Sequence, residues 1–330
     1  MLENHITIVV VPRERFSLTR DSLRSIYEFT DTPFGLVYVD GGSPRKIKRF
    51  LESTARERGF RLIRTDSYLS PNRARNLGLG HVSSKYVVFL DNDVLVAPGW
   101  LSPLVECAED TRAAVVTPLT LECFDGGSAV VHCAGGECHL EVEDRSGTSQ
   151  RRIKDTMHHA GRKPEDVRPD LRRQRTEYIE FHCFLARTDI FRQVGPFDEQ
   201  LLNTRDHIDF SLLVAQAGGA IYLEPSSVVT FVHGHPLAWS DIPYFLLRWS
   251  DAWELASLHR LRAKWDLPED EYFQRRYRTL GWRRRALIER AVRLMTLGLK
   301  ARGPGRLLLA MERVLNQYYV ARYRPDDRVG

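Results

Sequence analysis

This chain of 330 residues has little sulfur and no apolar run long enough to cross a bilayer, which argues against a spanning helix. Its five cysteines, an odd number over a long chain, do not suit the disulfide framework of small secreted domains and read as reduced thiols. No internal repeat or low-complexity tract is present, which sets aside solenoid and linker-dominated architectures. Strand-like sequence starts at Ile6, so no secretory leader is read and the expected location is cytoplasmic. Neither sign of charge dominates. Lys and Arg number 48 against 43 Asp and Glu, a net +5, with a pI near 9.0. That modest basic balance suits anionic partners such as nucleotides or phospholipid headgroups. Nucleic acid is not expected, because no interleaved aromatic platform accompanies the Arg283-Arg284-Arg285 cluster.

What is present is a βαβ rhythm over the first half. Ile6 to Val11 reads as a buried strand stopped by Pro12, and residues 17–30 have helical spacing. Leu36 to Val39 is a second strand ending in Asp40-Gly41-Gly42-Ser43. A helix is expected over 45–58, a strand over 61–64, a helix start at 71–80, a strand over 86–90, a helix over 98–109 and a strand over 114–117. Residues 120–176 are polar and glycine-containing, and read as a long insertion of uncertain order, a candidate active-site flap. Residues 179–235 return to compact α/β character. From about 236 the chain turns aromatic, Arg-rich and helical. The reading is therefore a catalytic domain over 1–235 and a helical extension over 236–330.

The stretch Val87-Val88-Phe89-Leu90-Asp91-Asn92-Asp93 carries the strongest chemical signal. Side chains alternate along a strand, so Asp91 and Asp93 share a side where the buried strand meets solvent. Two like charges there are costly unless a cation joins them. Carboxylate oxygens suit Mg2+ or Mn2+, ions that bridge protein carboxylates to substrate phosphates. Asp-Asn-Asp is also ordinary turn chemistry, so the pair gains meaning from its company.

That company is Asp40 after a strand, Asn72-Arg73-Ala74-Arg75-Asn76-Leu77-Gly78-Leu79, the Asp91/Asp93 pair, and Gly195-Pro196-Phe197-Asp198-Glu199 followed by Asp206-His207-Ile208-Asp209-Phe210. In this order and spacing the chain resembles family 2 glycosyltransferases of the GT-A fold over residues 6 to about 235. The resemblance implies a Rossmann-like α/β domain with a mostly parallel central sheet. It implies metal-dependent, inverting transfer from a UDP-sugar to a saccharide, a lipid-linked saccharide, or another small-molecule or peptide hydroxyl. A protein of the same fold that binds nucleotide-sugar without turnover is the alternative.

Residue by residue, the resemblance puts Asp40 on the uracil N3–H, Arg75 against the nucleotide, Asp91 on the ribose and metal shell, and Asp93 on the metal directly. Arg13 and Glu14 fall in the nucleotide-lining region, where Arg13-Glu14-Arg15 departs from the family's usual aromatic and Asn. His207 falls on the usual general-base aspartate and Asp206 on the preceding glutamate; either is a candidate base, with Asp206 favoured. Asp209 is expected to fix the helix start or a neighbouring loop. His233 and His235, after the strand-like Val228 to Val232, are candidate metal ligands. His132-Cys133-Ala134-Gly135-Gly136-Glu137-Cys138-His139 holds four soft-metal ligands in one compact loop, and is read as an ordinary loop rather than a zinc site.

The C-terminal stretches carry cationic residues beside broad apolar faces. Packing on the catalytic domain is the leading reading. A peripheral membrane surface or a homo-oligomer contact are the alternatives.

Overall fold

The computed structural model describes residues 5–123, 129–145, 148–233, 237–295 and 302–323. Runs of β-branched residues make its strands: Ile6–Val11 (β1), Gly35–Gly41 (β2), Arg61–Thr65 (β3) and Tyr86–Asp91 (β4). The short Val94–Val96 (β5) follows, then Val115–Cys123 (β6) and Val130–Cys133 (β7). Gly136–Arg145 (β8) and Thr148–Met157 (β9) come next, then Gln174–Thr176 (β10), Cys183–Arg187 (β11) and Ile221–Val232 (β12). The central sheet has the order β10-β12-β6-β11-β4-β1-β2-β3, with β5 beside β12 and β7 beside β6. Strands β4, β1, β2 and β3 run parallel, as do β6 and β12. β11 is inserted antiparallel between β4 and β6.

The helices of this region are Thr19–Phe29 (α1), Arg45–Arg58 (α2), Pro71–Leu79 (α3), Leu101–Thr111 (α4), Pro164–Val167 (α5), Ile190–Val194 (α6) and Asp206–Gln216 (α7). Alternation along β1 and β4 sends Ile8, Val10, Val88 and Leu90 into one apolar layer, with Leu23, Leu51 and Leu104 from α1, α2 and α4. Val9, Val11, Val87 and Phe89 enter the other, with Ala74, Ile190 and Phe210 from α3, α6 and α7. Both faces are therefore covered, as a parallel sheet requires. Gly78 lets α3 lie close to the sheet: a Cβ there would sit 2.3 Å from Val9 Cγ1. That contact seats the helix that carries Asn72, Arg75 and Asn76.

The expectation of an irregular flap over 120–176 is corrected for its described part. β6 continues to Cys123, β7 pairs with it, and β8 and β9 form a two-stranded antiparallel hairpin. The charge that suggested a loop lies along this ribbon, where Glu141 opposes Arg152 and the Lys154 ammonium lies 3.7 Å from Glu137. Leu140 and Ile153 turn the other way, onto the cluster around α7.

Past residue 236, helices span Ile242–Arg248 (α8), Asp251–Lys264 (α9), Glu271–Thr279 (α10), Trp282–Met295 (α11) and Arg302–Arg322 (α12). They pack on the sheet domain through polar locks. The Asp241 carboxylate accepts the N–H groups of Phe16 and Ser17 at 2.8 and 3.1 Å, and the Tyr244 hydroxyl donates to the Leu69 carbonyl at 2.9 Å. Among the described residues no helix is long and apolar enough to cross a membrane.

Candidate functional site

The site lies at the carboxyl ends of β1, β2 and β4, where an α/β sheet of this kind gathers ligands. Asp91 closes β4 and Asp93 follows it; both are buried. Asn92 between them turns away and fastens the exit of β1. Its amide donates to the Arg15 carbonyl at 2.8 Å and accepts the Arg13 N–H at 3.0 Å. The alternation expected for the acid pair is thus enforced by the intervening residue.

The two carboxylates differ in company. Asp91 lies 3.3 Å from the Arg13 guanidinium and 3.4 Å from that of Arg75. Burial raises its pKa to about 6, with Arg13 and Arg75 pulling the other way. Asp93 has no hydrogen-bond partner at either carboxylate oxygen. Burial, Glu14 and Asp91 push its pKa well up. An unpartnered carboxylate in the interior is the arrangement a cation would relieve.

Antiparallel pairing of β11 with β4 sets the start of β11 beside the end of β4. The Asp91 N–H therefore donates to the His182 carbonyl at 3.0 Å. The His182 ring is buried, stacks on Phe231 at 3.9 Å and puts Nδ1 3.1 Å from Asp91 Oδ2, out of line for a hydrogen bond. Burial and the nearby Arg13 hold this imidazole neutral, its pKa well below the usual value. Asp91, Asp93 and His182 offer three ligand atoms within 4.8 Å of one another. Behind His182 lie Glu180 and His132. His132 Nδ1 is 3.1 Å from Glu122 and its Nε2 3.6 Å from Glu180. Burial opposes charge on His132, but Glu180 and Glu122 raise its pKa to about 9.

Arg75 is wholly buried and joins two halves of the site. Its guanidinium donates to Asn72 at 3.0 Å and Asp206 at 2.8 Å, lies 3.4 Å from Asp91, and sits over the Phe181 ring. The resemblance sets Arg75 against the nucleotide; here it is enclosed and bridges Asp91 to Asp206. Asp206 opens α7 after Arg205, a left-handed residue at φ 74°. Such a conformation costs a non-glycine residue about 1–2 kcal/mol. The Asp206 carboxyl is held below the usual range: burial raises it, but His207 and Arg75 more than compensate. The His207 ring, 17% exposed, lies 3.7 Å from Asp155 of β9 and 3.9 Å from Asp206. Burial lowers its pKa, the two carboxylates raise it, and the net direction is up. Asp209 receives Lys264 at 2.8 Å and the Trp265 indole N–H at 2.9 Å, tying α7 to the end of α9.

Asp40 is buried at the end of β2. It accepts the Ser43 N–H and hydroxyl at 3.0 and 2.9 Å, and Arg64 donates to it. Glu14 is buried under the extension: it accepts the Trp249 indole N–H at 3.0 Å and Arg283 of α11 at 2.8 Å. Burial would raise its carboxyl, but Arg283, Arg13 and Arg15 hold it at about 2. His233 follows β12; burial and Arg283 lower its pKa, while Glu14 and Glu122 pull the other way. His235 lies outside the described residues. The structure thus gathers Arg13, Glu14, Asp91 and Asp93, and joins them through Arg75 to Asp206 and His207.

Glu180, His182, Glu122 and Arg283 were not singled out from the sequence as site residues. Glu180 and His182 do share a side by alternation, just before the apolar run Cys183 to Ala186. The His132–His139 loop is not a four-ligand centre: Cys133 and Cys138 pack in an apolar cluster, and His139 pairs with Glu177. Only His132 faces the site.

Comparison with known proteins agrees with this geometry. The family model described as glycosyl transferase family 2 matches residues 7–195. The pre-mycofactocin glycosyltransferase of Mycobacterium tuberculosis is 26% identical over 163 residues, 49% of this chain and 30% of that protein. The human polypeptide N-acetylgalactosaminyltransferase 15 is 37% identical over 104 residues, 29% of this chain and 16% of that one. The chain therefore spans under a third of the length of these curated relatives. The crystal structure of GalNAc-T7 with UDP, GalNAc and Mn2+ superposes with a TM-score of 0.52 at 17% identity, over 82% of this chain and 52% of that one.

Proposed function

This chain belongs to glycosyl transferase family 2, and from that premise we propose that it is a metal-dependent transferase acting on a UDP-sugar. The observation that carries the reading is Asp93, a buried carboxylate with no hydrogen-bond partner, beside Asp91 at the ligand end of the sheet. These residues fit a divalent cation, Mn2+ or Mg2+, held by Asp93 directly with Asp91 and His182 in reach. When bound, such an ion offsets the charge that builds on the departing diphosphate. Arg13 and Arg283 are placed on the same side, next to Glu14 and within electrostatic reach of Asp93. They favour an anionic leaving group there. Asp40 keeps acceptor capacity beyond Ser43 and Arg64, so a uracil N3–H can add to it, whereas cytosine N3 is itself an acceptor and cannot.

Of the two candidate bases, Asp206 is committed to Arg75 and held at low pKa, whereas His207 is partly exposed between Asp155 and Asp206. We assign proton removal from the acceptor hydroxyl to His207 and its orientation to the two carboxylates. Attack by that oxygen opposite the leaving diphosphate inverts the anomeric centre. The acceptor is a hydroxyl of a saccharide, a lipid-linked saccharide, a small molecule or a peptide.

The test is donor hydrolysis: purified protein with a panel of UDP- and GDP-sugars, in Mn2+ or in chelator. Metal-dependent release of UDP from one sugar, lost in Asp93→Asn, supports the reading. No release together with no UDP binding by calorimetry overturns it in favour of a non-catalytic protein of the same fold. A product with retained anomeric configuration overturns the role given to His207.

A further inference from the structure

The resemblance points to His233 or His235 as the nitrogen ligand of the cation. The geometry points elsewhere: we propose that His182, through Nδ1, is the histidine ligand at Asp91 and Asp93, and that Glu180, His132 and Glu122 form a chain that fixes its ring. This inference rests on the metal-dependent reading above.

Three observations converge. Nδ1 of His182 lies 3.1 Å from Asp91 Oδ2 without the alignment of a hydrogen bond, so its lone pair is uncommitted. The three ligand atoms lie within 4.8 Å of one another. Ligands on opposite sides of one ion bound at Mg2+ or Ca2+ distances stand about 4–5 Å apart, so one ion can span this set. The ring has little freedom, since it stacks on Phe231 at 3.9 Å and is 1% exposed.

The opposite ring nitrogen supplies the fourth argument. Nε2 of His182 faces Glu180 at 3.9 Å, and Glu180 already accepts the His182 backbone N–H at 3.1 Å. A ligating histidine characteristically gives its other N–H to a carboxylate, which fixes tautomer and ring plane. Glu180 is held in turn by His132 at 3.6 Å, and His132 by Glu122 at 3.1 Å. This order also decides against a separate ion at His132, Glu180 and His182, the other grouping with ligand-like spacing. Its one carboxylate, Glu180, is already paired with His132, whereas both carboxylate oxygens of Asp93 are unpartnered. His233, by contrast, lies within electrostatic reach of Glu14 and Glu122.

The experiment is pulsed EPR on Mn2+-loaded protein carrying 15N-histidine, with Mn2+ affinity from titration. The wild type should show a histidine nitrogen coupled to Mn2+. His182→Ala should lose the coupling and weaken Mn2+ at least about 100-fold, while His233→Ala and His235→Ala keep both. Glu180→Gln should weaken Mn2+ about 10-fold and keep the coupling, as a positioning residue would. If His182→Ala fails to fold, the two other histidine variants decide: coupling kept in both supports His182, and coupling lost in either overturns it. Mn2+ bound with coupling unchanged in His182→Ala refutes this inference and leaves the functional reading standing. No Mn2+ bound by wild type, with or without UDP, takes down both.

Discussion

Replacing Arg75 with Met would remove a cation that touches both Asp91 and Asp206 while roughly conserving volume. All three groups are buried, with side-chain exposures of 0, 1 and 8%. Deleting one partner of a buried ion pair costs about 3–5 kcal/mol, because the remaining charge is left uncompensated. A chain of 330 residues unfolds with an entropy near 0.7 kcal/mol/K, from about 2.1 cal/mol/K per residue. The expected loss is therefore about 4–7 °C in melting temperature, read by circular dichroism in chelator at pH 7.5. The loss should also depend on pH. Asp206 is depressed in the folded protein, so it contributes stability above its unfolded pKa near 3.9 and loses it as pH falls through the folded value. Without Arg75 that contribution shrinks, because His207 is left as the main group holding the Asp206 carboxyl down. Asp91, raised to about 6 with Arg75 present, would climb further and protonate more readily on acidification. The gap between variant and wild type should therefore narrow from pH 7.5 to pH 5. A loss below about 2 °C, or an equal loss at both pH values, would refute the bridge as an energetic element.

Three further outcomes are expected. Asp93→Asn should raise the melting temperature of metal-free protein by about 1.5–4 °C, since an unpartnered buried carboxylate costs about 1–3 kcal/mol, and should remove the stabilisation that Mn2+ gives wild type; a lower melting point in chelator would contradict this. The acid limb of kcat/KM should lie above pH 6.5, because a base with a raised pKa gains its working form only as pH rises through that value. Asp155→Asn should move that limb downward, and a pH profile unchanged by it would separate His207 from the chemistry. Gly78→Ala should cost about 1–3 kcal/mol, roughly 1.5–4 °C, because the new methyl meets Val9 at 2.3 Å; a neutral substitution would show that α3 can shift away from β1.

The parallel half of the sheet was legible because its strands are short and punctuated, and β1 and β4 are buried on both faces. Ile6 to Val11, 61–64 and 86–90 each sit within a residue or so of the observed strands. The Asp91/Asp93 pair was legible for the same local reason, two-residue alternation at a strand end. His182 was not, because its place depends on an antiparallel strand inserted between β4 and β6 from nearly a hundred residues on. The β8–β9 hairpin was missed because a charged two-stranded ribbon and a polar loop have similar composition. Its register is visible only once Leu140 and Ile153 are seen against α7. The contact of Arg283 with Glu14 spans almost the whole chain and leaves no local trace.

That last contact sets an order in time. Glu14 and Arg283 are 269 positions apart. At about 5–20 residues per second, a ribosome would take roughly 15–50 s to travel between them. Through that interval Glu14, in the loop after β1, has Arg15 beside it at 3.5 Å but lacks the third of its cations, Arg283. The part of the site around Glu14 is therefore one of the last to be completed, although its first residues are among the earliest to emerge. A chain halted near residue 235 would contain each family motif and still present an unfinished, acid-lined cleft, a state that a nucleotide or a cation could hold together until the helices arrive.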